Sequence, residues 1–296
     1  MTQHNGGVSV KAWGFLITLA LIWGSSFILI KKGLLSFSAD EVGAIRITFA
    51  GLALLPFSIG KLKSVKKKNL KLLFITGILG NMIPAFLFAI AQTKLPSGIT
   101  GILNALTPLF ALTVGALFFK FKFALKDGLG LAIGLIGSII LILAGSGGDL
   151  VGINLYGLFV IGATLCYGTN INLIKVYLKD VRSLDIASIS LFLVLPFGLV
   201  YLLGFSDFTH QIIQSSEARI ALGYLAILGI IGTAFALVLF NSLVKMTTPV
   251  FASSVTYIIP IVAAVWGVVD GENLLTGHFI GMATIILGVY LANRSK

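Results

Sequence analysis

The chain has 296 residues, of which 57% are hydrophobic and only 10% are charged. A soluble domain carries about 25% charged residues, so this chain could not cover a surface that faces water. The formal net charge of +11 would suggest nucleic acid in a soluble protein, but here the basic residues stand between long apolar runs. We therefore expect a lipid bilayer around the protein and no nucleic acid as a partner. The single cysteine, Cys166, excludes an intramolecular disulfide.

Ten apolar runs follow one another along the chain. They cover residues 12–30, 40–60, 70–91, 97–119, 128–144, 154–174, 186–204, 220–241, 248–269 and 274–292. Each run is close to the roughly 20 residues with which a helix crosses a hydrocarbon layer of about 30 Å. The runs lack the alternation of period two that is typical of membrane strands. The sequence therefore predicts an all-α membrane protein with ten transmembrane helices.

Lysine and arginine are distributed unequally between the two sides of these helices. If the N-terminus is cytosolic, 16 of the 21 basic residues fall on the cytosolic side, 4 fall outside, and Arg46 lies within the second run. Cytosolic connections of membrane proteins carry the excess of Lys and Arg. Because the number of helices is even, we expect a multi-pass protein of the cell membrane with both termini in the cytoplasm.

Short motifs recur in the same order in the two halves of the chain. Leu55-Pro56-Phe57 recurs as Leu195-Pro196-Phe197, Gly80 with Ala85-Phe86 as Gly229 with Ala234-Phe235, and Pro108 with Gly115 as Pro260 with Gly267. This order predicts two repeats, residues 1–147 with helices one to five and residues 148–296 with helices six to ten. Since five is odd, the second copy enters the membrane from the opposite side. Two inverted five-helix repeats around a midplane site are typical of secondary transporters.

The same regions carry a resemblance to a known family. The motifs are Trp23-Gly24-Ser25-Ser26-Phe27, Arg46 with Ala50, the segments 229–234 and 257–260, and Gly267, Glu272 and Gly281. Over essentially its whole length the chain resembles the drug/metabolite transporter superfamily, in the ten-helix branch with two EamA domains. The family pattern has an acidic residue after the proline of the fourth helix. Glu272 fits this position behind Pro260, whereas Lys120 occupies it behind Pro108. The resemblance implies export or exchange of small metabolites, often amino acids.

Polar side chains within the runs form a candidate binding site. Facing lipid is costly for a polar group, so we expect these residues to point into the bundle. The candidate substrate-binding residues are Trp23, Ser25, Ser26, Asn81, Asn104, Thr107, Tyr167, Thr169, Asn170, Ser253, Thr256 and Tyr257. They predict a central cavity between helices one, three, four, six, eight and nine. The alternative is that these residues form hydrogen bonds between helices and bind no substrate. Such bonds stabilise membrane bundles by about 0.6–2 kcal/mol per pair.

Arg46 lies about two turns into the second run, close to Glu41 at its start. One interpretation is that its side chain reaches back to the membrane surface. The other is an ionic contact, either with an anion or with Glu41. Both residues are therefore candidates for an ionic contact.

The fifth and tenth helices contain small residues four positions apart, Gly130 with Gly134 and Gly277 with Gly281. This pattern favours close packing between helices, with a homodimer contact as the alternative. Because these two helices are otherwise almost wholly apolar, we expect that they do not line the pathway.

Several classes of protein are disfavoured by missing motifs. The chain has no G-x-x-x-x-G-K-[ST] loop and no H-E-x-x-H motif, so neither a P-loop ATPase nor a metalloprotease is expected. We expect no enzyme activity, no metal and no cofactor. The single clear charge within the runs, Arg46, favours neutral or zwitterionic small molecules as substrates. Sugar phosphates or nucleotide sugars would favour several buried Lys or Arg, and they are the alternative. A membrane protein that does not transport is the third alternative.

Overall fold

A computed structural model describes residues 8–62, 65–95, 97–121, 125–145, 155–269 and 276–293. These residues form a bundle of helices, and none of them belongs to a strand. The predicted all-α class is therefore confirmed. The predicted boundary between the repeats, at residues 147 and 148, and Glu272 both lie outside the described residues.

The helices follow the predicted apolar runs in order. In the first half, α1 is Val10–Gly33 with an irregular turn at Ser25, α2 is Ala39–Leu62, α3 is Lys67–Gln92, α4 consists of Ser97–Asn104 and Thr107–Phe119, and α5 is Leu125–Gly145. In the second half, α6 is Gly157–Tyr177, α7 is Ser183–Gly204, α8 is Ser216–Met246, α9 consists of Pro249–Ser253 and Val255–Val269, and α10 is Thr276–Asn293. A short helix, Phe208–Gln214, lies between α7 and α8.

Six of the described helices are long and apolar enough to cross a membrane, judged by length and composition. They are α1, α2, α3, α6, α7 and α8. The apolar helical segments within α4, α5, α9 and α10 are shorter. Many large apolar side chains on the outside of the bundle are exposed, including Leu117, Leu203 and Ile286. Such a surface is stable against lipid and unfavourable against water.

The helices of the two halves interleave. Helix α2 packs along α7, and α5 packs along α10. Helix α1 contacts α8 and α9, whereas α6 contacts α3 and α4. Each helix of the first half corresponds to the helix five places later in the second half. The contacts of α1 with α8 and α9 therefore match the contacts of α6 with α3 and α4.

Helices α3 and α8 each contain a π-helical stretch, Ile78–Met82 and Ile230–Phe235. A π turn holds more residues than an α turn, and it occurs often at functional sites. A side chain added at Gly80 would place its Cβ 2.3 Å from the Asn170 amide nitrogen. At Gly232 the Cβ would lie 3.2 Å from the Ser26 hydroxyl. The glycines of the two π-helical stretches thus let polar residues of α6 and α1 approach closely.

Helices α5 and α10 meet along their glycines. A Cβ added at Gly288 would lie 2.3 Å from the main-chain nitrogen of Gly134, and one at Gly137 would lie 2.6 Å from that of Ile285. Main-chain atoms cannot move aside easily, so only glycine fits at these positions. The small residues of α5 and α10 therefore pack these helices against each other within the chain.

Candidate functional site

A cavity lies between α1, α3, α4, α6, α8 and α9, and one residue of α2 reaches its wall. Its empty volume is about 820 Å³, which includes a part that is open to solvent. Among the described residues, α5, α7 and α10 contribute nothing to the lining.

The cavity wall combines polar groups with aromatic and aliphatic surfaces. The polar or amphipathic lining residues are Trp23, Ser26, Arg46, Asn81, Asn104, Thr107, Tyr167, Asn170, Thr233, Ser253 and Thr256. The apolar lining residues are Phe27, Ile30, Phe88, Ile171, Leu237, Phe240, Val255 and Ile259. Gly80 and Gly232 complete the wall. Nine of the twelve predicted binding residues, together with Arg46, are thus brought together around one space.

Two apolar clusters bound this space. One joins the N-terminal half of α1 to the C-terminal halves of α6 and α8, and it includes Phe240 and Ile171. The other joins the C-terminal part of α1 to α3 and α6 through Phe27 and Phe88. Because the cavity wall takes residues from both clusters, the cavity lies between them along the bundle.

Helix α4 is interrupted between Asn104 and Thr107, immediately before Pro108. Proline has no N–H, so the carbonyl four residues earlier loses its usual main-chain donor. The Thr107 hydroxyl donates to that Asn104 carbonyl at 2.8 Å and lies 3.3 Å from the Asn104 side-chain oxygen. The break therefore presents both side chains to the cavity with the main chain satisfied.

Asn170 of α6 presents an unpaired acceptor. Its side chain is 5% exposed and lines the cavity, and its Oδ1 atom has no hydrogen-bond partner. Buried polar atoms nearly always have a partner, and leaving one unmade costs about 1–3 kcal/mol. A donor on a bound solute or a water could supply this partner.

Arg46 of α2 points into the bundle. Its Nε donates to the Thr233 hydroxyl at 2.8 Å, and Tyr167 is a further residue of the same cavity wall. Glu41 is occupied elsewhere, because it accepts from the Ser38 main-chain N–H at 2.8 Å while Ser38 accepts from the Glu41 N–H at 3.3 Å. These two bonds form a capping box at the start of α2. The structure thus has neither an Arg46–Glu41 ion pair nor an Arg46 side chain that returns to the surface.

Three predicted binding residues lie away from the cavity. Ser25 donates to the Leu21 carbonyl and accepts from the Trp266 indole at 2.7 Å. Thr169 donates to the Leu165 carbonyl of its own helix at 2.8 Å. Tyr257 is completely buried and donates to the Leu131 carbonyl of α5 at 3.1 Å. Each of the three is next in sequence to a residue that lines the cavity. Neighbouring residues of a helix point about 100° apart, so these three side chains lie on another side of their helices.

The lining also includes residues beyond the twelve candidates. Thr233, Leu237 and Phe240 follow each other at i, i+4 and i+7, so they share one face of α8. That periodicity was present in the sequence, with Thr233 as its polar member. Phe27 gave no comparable signal, because phenylalanines such as Phe57 and Phe197 occupy exposed positions in similar runs.

The apolar exterior, the helical spans and the central cavity with its polar groups define a multi-pass membrane protein with a candidate site for a small solute. Among the described residues, no group of three or more His, Cys, Asp or Glu could hold a metal ion. The EamA-like transporter family matches residues 11–143 and 154–294, which is most of the chain. The protein therefore belongs to the EamA-like transporter family, and the resemblance seen in the sequence is confirmed.

Several curated relatives are transporters by name. The chain is 29% identical to "Uncharacterized inner membrane transporter YedA" of Escherichia coli K12, over 96% of this chain and 91% of that one. It is 23% identical to an "Uncharacterized transporter" of Archaeoglobus fulgidus, over 97% and 100% of the two chains. It is also 23% identical to a "Probable terminal-alkyne amino-acid exporter" of Streptantibioticus cattleyicolor, over 97% and 94%.

A known crystal structure has the same fold. It superposes with a TM-score of 0.73 at 17% sequence identity, and the match covers 96% of both chains. The family, the relatives that are named transporters and the apolar helices support a multi-pass transporter of the cell membrane with a small-molecule substrate.

Proposed function

We propose that the protein is a secondary transporter that moves small metabolites across the cell membrane by alternating access, with the central cavity as its substrate site. The observation that carries this proposal is the composition of the cavity wall. Helices α1, α3 and α4 of the first half and α6, α8 and α9 of the second half contribute to one space. A site between two halves can open to one side or the other when the halves rock against each other.

The proposal includes ten transmembrane helices in two inverted repeats, residues 1–147 and 148–296, with both termini in the cytoplasm. Support comes from the helix contacts, because the contacts of α1 with α8 and α9 match those of the corresponding helix α6 with α3 and α4. The π-helical stretches in α3 and α8, the third helix of each half, support it further. The excess of Lys and Arg in the connections that are cytosolic in this arrangement supports the orientation.

The substrates are amino acids or similar neutral and zwitterionic solutes, which the protein exports or exchanges. The cavity offers amide and hydroxyl groups beside aromatic surfaces, and Arg46 is the single charged side chain among its described lining residues. Sugar phosphates and nucleotide sugars carry more negative charge than one guanidinium can balance. The name of one relative, an amino-acid exporter, supports the same class.

Counterflow of radiolabelled apolar amino acids into proteoliposomes tests the proposal. Asn170→Ala removes a cavity group, and we expect transport to fall by about threefold to tenfold because its hydrogen bonds to the solute are lost. Thr169→Ala is the matched control, because Thr169 bonds only within α6 and lies away from the cavity. Equal transport by the two variants, both folded, would count against the cavity as the site. Absence of transport of any amino acid by the unmodified protein would count against the substrate class.

A further inference from the structure

Arg46 is a cation in the cavity wall with neutral neighbours. We propose that the transported solute carries a carboxylate and that Arg46 binds it, so that carboxylate recognition is the specificity determinant of this transporter. The inference rests on the proposed function, since it identifies a group of the substrate in that same cavity. It makes Arg46 a binding residue, in contrast to a residue that serves only the packing of α2.

The guanidinium is oriented before any solute binds. Its Nε donates to the Thr233 hydroxyl at 2.8 Å, and that hydroxyl in turn donates to the Leu228 carbonyl at 3.1 Å. With Nε held in this way, the terminal amino groups are the donors that remain for a ligand. Tyr167 lines the same cavity. A carboxylate matches this planar set of donors in shape and charge.

No acidic side chain balances Arg46 inside the cavity. The described lining residues include no Asp or Glu, and the ion pair found in the described part of the chain joins Arg182 and Asp185 at the start of α7. A cation within a membrane bundle is costly unless a partner is present. One carboxylate neutralises one guanidinium, whereas a phosphate group would leave negative charge uncompensated.

The rest of the cavity defines the remainder of the solute. The unpaired Asn170 Oδ1 is an acceptor that fits an amino or other N–H donor group. Phe27, Phe88 and Phe240 offer apolar surface for an aliphatic or aromatic body. The substrate class is therefore a small monocarboxylate with an apolar body, and the amino group of an amino acid adds a second, weaker contact.

The charge is confined to one half of the cavity. The motif Leu55-Pro56-Phe57 recurs at residues 195–197, and with this offset of 140 residues Ile186 is the equivalent of Arg46 in the second half of the sequence. Ile186 is completely buried in an apolar cluster. A carboxylate therefore has one location in the cavity, and the solute has one orientation relative to α2.

Matched sets of solutes test this inference in proteoliposomes that contain the full-length protein. Leucine, phenylalanine and methionine are compared with their amides, which lack the carboxylate, and with leucine's deaminated analogue isocaproate. We expect the amides to compete with labelled leucine at least about tenfold less well than the parent amino acids, and isocaproate to compete much better than leucinamide. This comparison uses the unmodified protein, so it does not depend on the folding of a variant.

Variants of Arg46 complete the test. Arg46→Gln should abolish the preference for the acid over the amide, and Arg46→Lys should retain part of this preference. The surface variant Arg182→Gln should show the same preference as the unmodified protein. Amides that compete as well as the acids, or an undiminished preference in a folded Arg46→Gln protein, would overturn the carboxylate inference and leave the transporter in place. If the unmodified protein transports none of these solutes, the proposed substrate class fails and the inference with it.

Discussion

Trp23 in α1 donates its indole N–H to the main-chain carbonyl of Gly232 in α8, over a distance of 2.9 Å. This carbonyl belongs to the π-helical stretch Ile230–Phe235, and the indole ring is part of the cavity wall. The bond therefore ties the first half of the bundle to the second beside the candidate substrate site. Ser26, one turn further along α1, lies against the same glycine.

Replacing Trp23 with phenylalanine should destabilise the bundle, because the Gly232 carbonyl loses its donor. We expect a loss of about 1 kcal/mol, or an unfolding temperature about 2–4 °C lower in detergent. Trp13→Phe is the control, since the Trp13 ring packs edge-on against Phe251 at 5.1 Å. This substitution also replaces an indole by a smaller ring. Thermal unfolding followed by fluorescence measures both, and equal losses would show that the bond contributes little.

Tyr257→Phe should lower stability without affecting transport. The substitution removes the hydroxyl that joins α9 to the Leu131 carbonyl of α5, a bond of about 0.6–2 kcal/mol in a membrane bundle. Because Tyr257 lies away from the cavity, counterflow per folded molecule should equal that of the unmodified protein. A reduced rate at unchanged stability would contradict this and return Tyr257 to the substrate site.

Gly288→Ala should strongly destabilise the protein. The added methyl group would lie 2.3 Å from the Gly134 nitrogen and 2.8 Å from the Gly130 carbonyl oxygen, so α5 and α10 must separate. Overpacking of this kind costs about 1–3 kcal/mol or more. Gly128→Ala in α5 is the matched control, because no atom outside the backbone of its own helix turn lies within 4 Å of its added Cβ. The unfolding temperature should fall for the first variant and stay level or rise for the second.

Cysteine labelling tests the orientation in the membrane. In a protein whose Cys166 is replaced by alanine, a cysteine at the exposed position Lys66 should react with a membrane-impermeant thiol reagent only after cells are permeabilised. A cysteine at Lys94, exposed at the other end of α3, should react in intact cells. The expectation follows from the excess of basic residues on the Lys66 side. The reverse labelling pattern would place both termini outside.

The sequence predicted which helices surround the cavity but not every side chain that faces it. The sequence predicts that Ser253, Thr256 and Tyr257 share one face of α9, yet only the first two reach the cavity. Helix α9 contacts α1, α4, α5 and α10, so it has protein on several sides. The polarity of a residue then indicates that it faces protein and not lipid. It does not indicate whether the side chain faces the cavity or a neighbouring helix.

Other features could have been predicted more closely. Ser38 and Glu41 stand three residues apart at the start of α2, which is the spacing of a capping box, and this local bond outcompetes a pair with Arg46. The π-helical stretches were not predictable in the same way. The repeated glycine motifs marked both segments, but a π turn differs from an α turn by added length and has no residue signature of its own.

The glycine contact between α5 and α10 joins segments that the ribosome makes far apart in time. Gly134 and Gly288 are 154 residues apart in the sequence, and at about 5–20 residues per second their synthesis is separated by roughly 8–30 s. Throughout that interval the glycine face of α5 has been synthesised without its partner. The contact is thus among the last to form, and a chain that stalls before α10 presents an unpaired α5 to the quality-control machinery of the membrane.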